Sequence, residues 1–411
     1  MQKTALVAGA SGLAGRAMVD HLLNEEGYTV LALARRANEI FQDVEGVVPL
    51  ACDLLDAASV ADALAPHKVN YLFYTAVFTG KGGVASFQPK SNTELRMLRA
   101  SLRYMGGPAR LAARIIPNAY YNMFHRVAGS GEADKNRDMI KNVLDACRKT
   151  STLEHVTLLT GGKYHGHHLG PRFYPGYRSP IEEHFPRVPG HNWYYAVEDY
   201  VAESQADDQS WNYTTLRPSS IMGFATGSPY NLGTSLAVYA SIRKQLGQPL
   251  LLLADPACQI PNIEFSPANL IADMMLWSTR EPRCRNQAYN ASYGARTCWR
   301  DVWQDIADYF DMPVEYAERA QCAGYVTRDY PETWANMCKQ YGTDYDDFSQ
   351  VCEPKFLDQQ FIIDWDAGYS PEKSRAHGYS KSIDPRTMFL QLFDELVEHR
   401  VIPDPKRIDA Q

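Results

Sequence analysis

The chain has 411 residues, 45% apolar and 22% charged, with a formal net charge of −7, which fits one large α/β domain or a nucleotide-binding domain with a smaller cap. The negative balance argues against general nucleic-acid binding, and no apolar run approaches the roughly 18 residues of a membrane span. The eight cysteines are scattered with no CxxC pair, and the start MQKTALVAGA lacks a signal peptide's basic and apolar regions, so a reduced, cytoplasmic protein is expected rather than a disulfide framework or zinc site.

The first half alternates strand-like and helix-like patterns. Apolar "TALVA" (4–8) runs into a glycine-rich turn and the helical "LAGRAMVDHLLNEE". Strand patterns follow at "YTVLALA" (28–34), "VVPLAC" (47–52), "YLFYTAV" (71–77), "HVTLLT" (155–160) and "NYTTLRP" (212–218), with a short helical "AASVADALA" among them. Short apolar runs separated by amphipathic helices predict an α/β fold, a doubly wound parallel sheet with helices on both faces. Residues 1–220 are expected to form the nucleotide-binding domain. Residues 221–411, with helical patterns near 265–278, 298–310, 330–341 and 386–400, form a mostly helical substrate cap interleaved with the last strands. A basic insert at about 78–130 carries eight Lys/Arg between positions 81 and 130 against the single acid Glu94. Within it Leu95, Leu98, Leu102 and Met105 share one helical face and Arg96, Arg99 and Arg103 another. An amphipathic surface helix is expected there; a lid, a dimer contact or a membrane-surface contact are the alternatives.

"VAGASGLAGRA" sets Gly9, Gly12 and Gly15 in GxxGxxG spacing between the first strand and the first helix, with Ser11 and Leu13 in the same loop. Gly9 permits a tight turn, Gly12 lets backbone N–H groups approach a pyrophosphate, and Gly15 lets helix and sheet pack closely. The end of the second strand selects the dinucleotide. "ALARRAN" offers Arg35 and Arg36 and no acid before Glu39, a pair suited to the 2′-phosphate of NADPH/NADP+. After the third strand, Asp53 and Leu54 are expected beside the adenine, with helix N-capping by Asp53 or Asp56 as the competing role. Ile221, in the loop after a strand, is a candidate for nicotinamide packing.

The strand ending at Thr160 is followed by two glycines and Lys163. In a doubly wound sheet that is the edge where ligands gather. Downstream lies "HNWYYAVEDYVAE" (191–203). A short-chain dehydrogenase helix has a Tyr followed four residues later by a Lys, whose charge lowers the phenol pKa. Here Glu198 follows Tyr194 at that spacing and Asp199 follows Tyr195. A carboxylate would raise the phenol pKa, so either this is no dehydrogenase site or its cation comes from elsewhere, for which Lys163 is the candidate. Glu203 lies eight residues after Tyr195, which aligns the segment with a YxxxKxxxE helix. Tyr195 is therefore the expected catalytic phenol, with Tyr194 as the alternative. His165, His167 and His168 follow Lys163, but no acid or cysteine stands at ligand spacing, and no metal is expected.

"TGGKYH" (160–165) and "NWYYAVED" (192–199) resemble the TGxKHY-type and NFYYxxED-type motifs of the progesterone 5β-reductase/iridoid synthase-like (PRISE) family, an atypical branch of the short-chain dehydrogenases. "ALARRAN", "LRPSSIMGFATGSPYNLGTSLAVYASI" and "QAYNASYGARTCWRDVW" extend the resemblance over nearly the whole chain. The order Lys-Tyr-His instead of Lys-His-Tyr, and the long basic insert, depart from the family pattern. The resemblance implies a Rossmann fold of extended short-chain dehydrogenase type and NADPH-dependent reduction of the activated C=C bond of an enone or enal. It implies a small apolar or steroid/terpenoid-like substrate, with Lys163 and Tyr195 stabilising an enolate. Carbonyl reduction or alcohol oxidation by the same pair, and an NADP(H)-sensing binding protein, are the alternatives; a homodimer remains open.

Overall fold

The computed structural model describes residues 2–78, 130–149, 152–174, 176–188, 192–225, 231–294 and 296–409. The amphipathic helix expected within the basic insert lies outside these residues. The apolar runs become strands β1 (Lys3–Ala8), β2 (Tyr28–Ala34), β3 (Val47–Ala51), β4 (Tyr71–Tyr74), β5 (His155–Leu159) and β6 (Asn212–Pro218). With β10 (Gln287–Ala291) they form a seven-stranded sheet in the order β10-β6-β5-β4-β1-β2-β3. Every pairing in it is parallel. The order reverses between β1 and β4, which opens a crevice above the carboxyl ends of those strands.

Alternation along each strand divides the core. Ala5 and Val7 of β1 face one layer, built on α1 (Leu13–Leu23) and, further along the chain, the helix Ala268–Arg280. Leu6 and Ala8 face the other, built on α3 (Ala57–Leu64), α4 (Ser130–Arg148) and α5 (Trp193–Asp207). The short α2 (Ala37–Phe41) lies between β2 and β3. Both faces of the strands are buried, so they read as nearly continuous apolar runs. Each fully buried Leu, Val or Phe contributes roughly 1.5–3 kcal/mol.

The remaining helices are α6 (Leu232–Gln245), α7 (Ala268–Arg280), α8 (Trp299–Phe310), α9 (Tyr330–Tyr341) and α10 (Pro385–Glu398). Between them run β7 (Ser220–Met222), β8 (Leu250–Leu252), β9 (Phe265–Pro267) and β11 (Val314–Tyr316), paired as two-stranded sheets β7–β9 and β8–β11. A third core of Trp299, Trp303, Trp334, Phe310 and Phe393 holds this half together. The chain returns to the main sheet through α7 and β10 before entering the last helices.

Candidate active site

The glycine loop meets the crevice at the β1/β4 reversal. Gly9 has φ of +86°, a left-handed conformation, and a Cβ there would lie 2.6 Å from the Ala76 backbone nitrogen. A Cβ on Gly15 would lie 2.2 Å from the carbonyl oxygen of Gly9, so the first turn of α1 packs directly on the loop. Gly12 is the N-cap and supplies no side-chain cap, leaving the first N–H groups of α1 for an anion. This is a cradle that fits a dinucleotide pyrophosphate. Arg35 and Arg36 directly follow β2, are exposed, and have no side-chain partner among the described residues. The N-cap of α3 is Asp56, which accepts from Ala58 N and Ser59 N at 3.1 Å. Asp53 is exposed, and its carboxylate accepts from Leu55 N at 3.0 Å. Asn142 of α4 holds that loop by donating to Leu54 O at 2.9 Å. Ile221 lies in β7, in register with Ser266 and half-buried against the α1 layer.

Lys163 sits in a single helical turn, Gly162–His165, immediately beyond β5. Asn192 links this turn to α5: its Oδ1 caps the helix by accepting from Tyr194 N at 3.0 Å, and its Nδ2 donates to Lys163 O at 3.1 Å. Burial pushes the Lys163 ammonium down to about 8, opposed by the negative charge of Glu132. The two tyrosines separate here. Tyr194 brings its hydroxyl over the strand end, 2.7 Å from where a Gly161 Cβ would stand. Burial, and secondarily the Glu198 carboxylate, hold its phenol above the ordinary range. Tyr195 points away. Its hydroxyl accepts from Val188 N at 2.9 Å and donates to Tyr164 O at 2.7 Å, pinning the 164–188 segment. Of the two, the phenol at the strand end is Tyr194, the alternative to the expected Tyr195.

The two carboxylates of the "ED" pair are each answered by a guanidinium. Glu198 is buried against Arg217, with Oε2 accepting from Nη2 at 2.6 Å, and it also accepts from Thr160 Oγ1 at 2.8 Å. The Arg217 guanidinium lies 3.4 Å from the Tyr164 ring centroid and meets His165 Nε2 at 3.1 Å. Asp199 pairs with Arg187, which also donates to the Tyr164 hydroxyl at 2.8 Å. The histidines are engaged separately. Burial, with the neighbouring Arg217, lowers His165 to about 3, and burial, with the Lys163 charge, lowers His167 to about 4. Among the described residues no three His, Cys, Asp or Glu side chains gather to hold a metal ion.

Residues 115–366 match the model of the PRISE-like Rossmann-fold domain, and residues 5–105 that of the NAD dependent epimerase/dehydratase family. The chain belongs to the PRISE-like family. It is an oxidoreductase of the NAD(P)-dependent Rossmann type. Its relatives include the (S)-8-oxocitronellyl enol synthase of Camptotheca acuminata, 24% identical over 98% of this chain and 94% of that protein. They also include the 3-oxo-Delta(4,5)-steroid 5-beta-reductase of Arabidopsis thaliana, 27% identical over 69% of this chain and 74% of that one. Among solved structures, the UDP-glucose 4-epimerase of Bifidobacterium longum in complex with NAD+ and UDP shares the fold with a TM-score of 0.59 at 13% identity, covering 96% of this chain and 98% of that one. The Bordetella bronchiseptica enzyme WbmH in complex with NAD+ aligns at 0.58 and 14%, covering 97% and 99%. Among the described residues no helix is long and apolar enough to cross a membrane.

Three buried or paired charges of this PRISE-type chain, Arg217, Arg187 and Glu264, lie outside the "TGGKYH" and "NWYYAVED" motifs of its sequence. Arg217 carried a signal, as the single charge in the strand pattern "NYTTLRP". A charge inside a buried strand requires a buried partner. Glu264, alone among apolar neighbours in "NIEFSP", carried the same signal and is 3% exposed. Arg187 lies in a loop and has no comparable mark.

Proposed function

We propose that this protein catalyses NADPH-dependent reduction of the activated C=C bond of an enone or enal, on a small apolar or steroid/terpenoid-like substrate. The observation that carries the reading is that the Tyr194 hydroxyl lies over Gly161 at the carboxyl end of β5, two residues before Lys163 in the turn that follows. The nicotinamide supplies hydride to the β-carbon when bound. Negative charge then develops on the substrate oxygen, and a phenol with an ammionium-bearing neighbour stabilises it as an enolate. The lowered Lys163 makes it a stronger donor than a solvated lysine. Tyr194, kept protonated by burial and by Glu198, serves as a neutral hydrogen-bond donor, so the pair needs no phenolate. The carboxylates of Glu198 and Asp199 are neutralised by Arg217 and Arg187, which keeps them from opposing the developing charge. The α-carbon takes its proton from solvent. The exposed Arg35 and Arg36 favour the 2′-phosphate of NADPH.

The relatives' names support the same chemistry. A 3-oxo-Delta(4,5)-steroid reduced at carbon 5 is an enone reduced at its β-carbon. An enol synthase has as its product the protonated form of the enolate that 1,4-hydride addition generates. The test is incubation with NADPH and a panel of enones and enals, followed by product identification. A saturated carbonyl compound or its enol is expected. An allylic alcohol would mean carbonyl reduction instead, and tight NADPH binding without consumption would mean a sensing protein.

A further inference from the structure

Gly162 has no room for a side chain, because a Cβ on it would lie 1.5 Å from the hydroxyl oxygen of Tyr369. That tyrosine comes from a short extended segment near the end of the chain, and its backbone is held firmly. Its N–H donates to Glu264 Oε2 at 2.9 Å, and its carbonyl accepts from Ser292 Oγ at 3.3 Å. On either side, Ile181 N donates to Gly368 O at 2.9 Å and Ser370 N to Ile181 O at 2.8 Å. The ring stacks on His167 with centroids 5.7 Å apart and 26° between planes. Tyr369 is 2% exposed, and its hydroxyl has no partner in hydrogen-bond geometry among the described residues. The Ser219 hydroxyl, which donates to Glu264 O at 2.6 Å, stands near enough to offer it a weak hydrogen bond and no better one.

A buried polar group without a partner costs about 1–3 kcal/mol, and a buried unsatisfied group in a native fold calls for a reason. Burial also keeps Tyr369 a neutral phenol, raised well above its ordinary value. Gly161 and Gly162 are consecutive, and each is the seat of one tyrosine hydroxyl, Tyr194 on the first and Tyr369 on the second. Lys163 is the next residue.

We propose that Tyr369 is a third hydrogen-bond donor of the reducing site, aimed with Tyr194 and Lys163 at the oxygen on which negative charge develops. This rests on the enone-reductase reading. The three donors come from three separate parts of the fold, the turn after β5, helix α5 and the segment around Tyr369, and the glycine doublet makes room for the two phenols. No covalent step is assigned to Tyr369; it donates a hydrogen bond and retains its proton.

Tyr369→Phe tests the assignment through two readouts, steady-state reduction of an enone and ionisation of bound 4-nitrophenol, a coloured enolate mimic. The expected result is a loss in kcat on the order of 10²-fold, unchanged NADPH affinity, and a shift of 4-nitrophenol ionisation to higher pH on the protein. A packing role predicts a variant as active as the parent, since the ring is retained and the hydroxyl has at most a weak contact with Ser219 to lose. Either readout unchanged, with the parent active, overturns the donor role and leaves the reductase reading intact. A parent that reduces no enone overturns the reductase reading and this assignment with it.

Discussion

Replacing Lys163 by Met should destroy activity and stabilise the protein. Burial lowers the ammonium from an ordinary 10.5 to about 8. Each tenfold change in that equilibrium is worth about 1.4 kcal/mol, so folding the charged lysine costs about 2–3 kcal/mol after allowance for its partial exposure. The folded value lies below the unfolded one, so the unfolded chain binds the extra proton. Below about pH 8 both states are protonated and the full cost is present. As pH rises from about 8 to about 10.5 the folded lysine is already neutral and the cost disappears. Urea or guanidinium unfolding of parent and variant near pH 7 and again near pH 10.5 measures this directly, and the difference between the two proteins cancels the titrating groups that do not interact with Lys163. Lys163→Met should be more stable by about 2–3 kcal/mol near neutral pH, with the advantage gone at the alkaline end. An equal or less stable variant at neutral pH, or a difference independent of pH, would refute the reasoning. The parent's kcat/KM should fall as pH rises through about 8, as the ammonium is lost.

Tyr194→Phe should reduce kcat by about 10²–10³ with little change in NADPH affinity. Tyr195→Phe should leave kcat nearly intact and cost about 1–3 kcal/mol in unfolding free energy, because Val188 N–H and Tyr164 C=O lose their partner; the opposite pattern would restore Tyr195 as the phenol. Arg35→Ala with Arg36→Ala should raise the Kd for NADPH at least tenfold, by loss of charge-assisted contacts, and leave NADH unchanged in a direct titration. Glu198→Gln leaves Arg217 buried without its counter-charge and should cost about 3–5 kcal/mol in denaturant unfolding; a neutral effect would show that the pair is not structurally required.

Much of this protein can be read locally. The strands lie close to the apolar runs, with β2 and β6 matching residue for residue and β4 three residues shorter than "YLFYTAV". The cofactor loop is legible because Gly9, Gly12 and Gly15 are constrained by contacts within a few residues, and Gly15 touches Gly9 itself. The position of Lys163 just beyond β5 is legible because strand direction alone delivers a residue to the carboxyl edge of the sheet. β10 was harder: "QAYNA" is short and carries polar residues, and it becomes a strand by adding to the edge of β6.

The choice between adjacent tyrosines required tertiary structure. Neighbours on a helix point about 100° apart, so the sequence determined that a phenol would stand near position 194 or 195 but not which way α5 turns about its axis. That rotation is decided by packing. Tyr194, Glu198 and Val201 share a face because Glu198 meets Arg217 of β6 and Val201 enters the core. Tyr195 and Asp199 share the other face because their partners, Val188, Tyr164 and Arg187, lie on the loop before the helix. The spacing to Glu203 carries no information about either set of partners. The Lys163 charge and the two carboxylates are written in the chain; which phenol stands at the end of β5, and which guanidinium answers each carboxylate, follows only from contacts between segments distant in sequence.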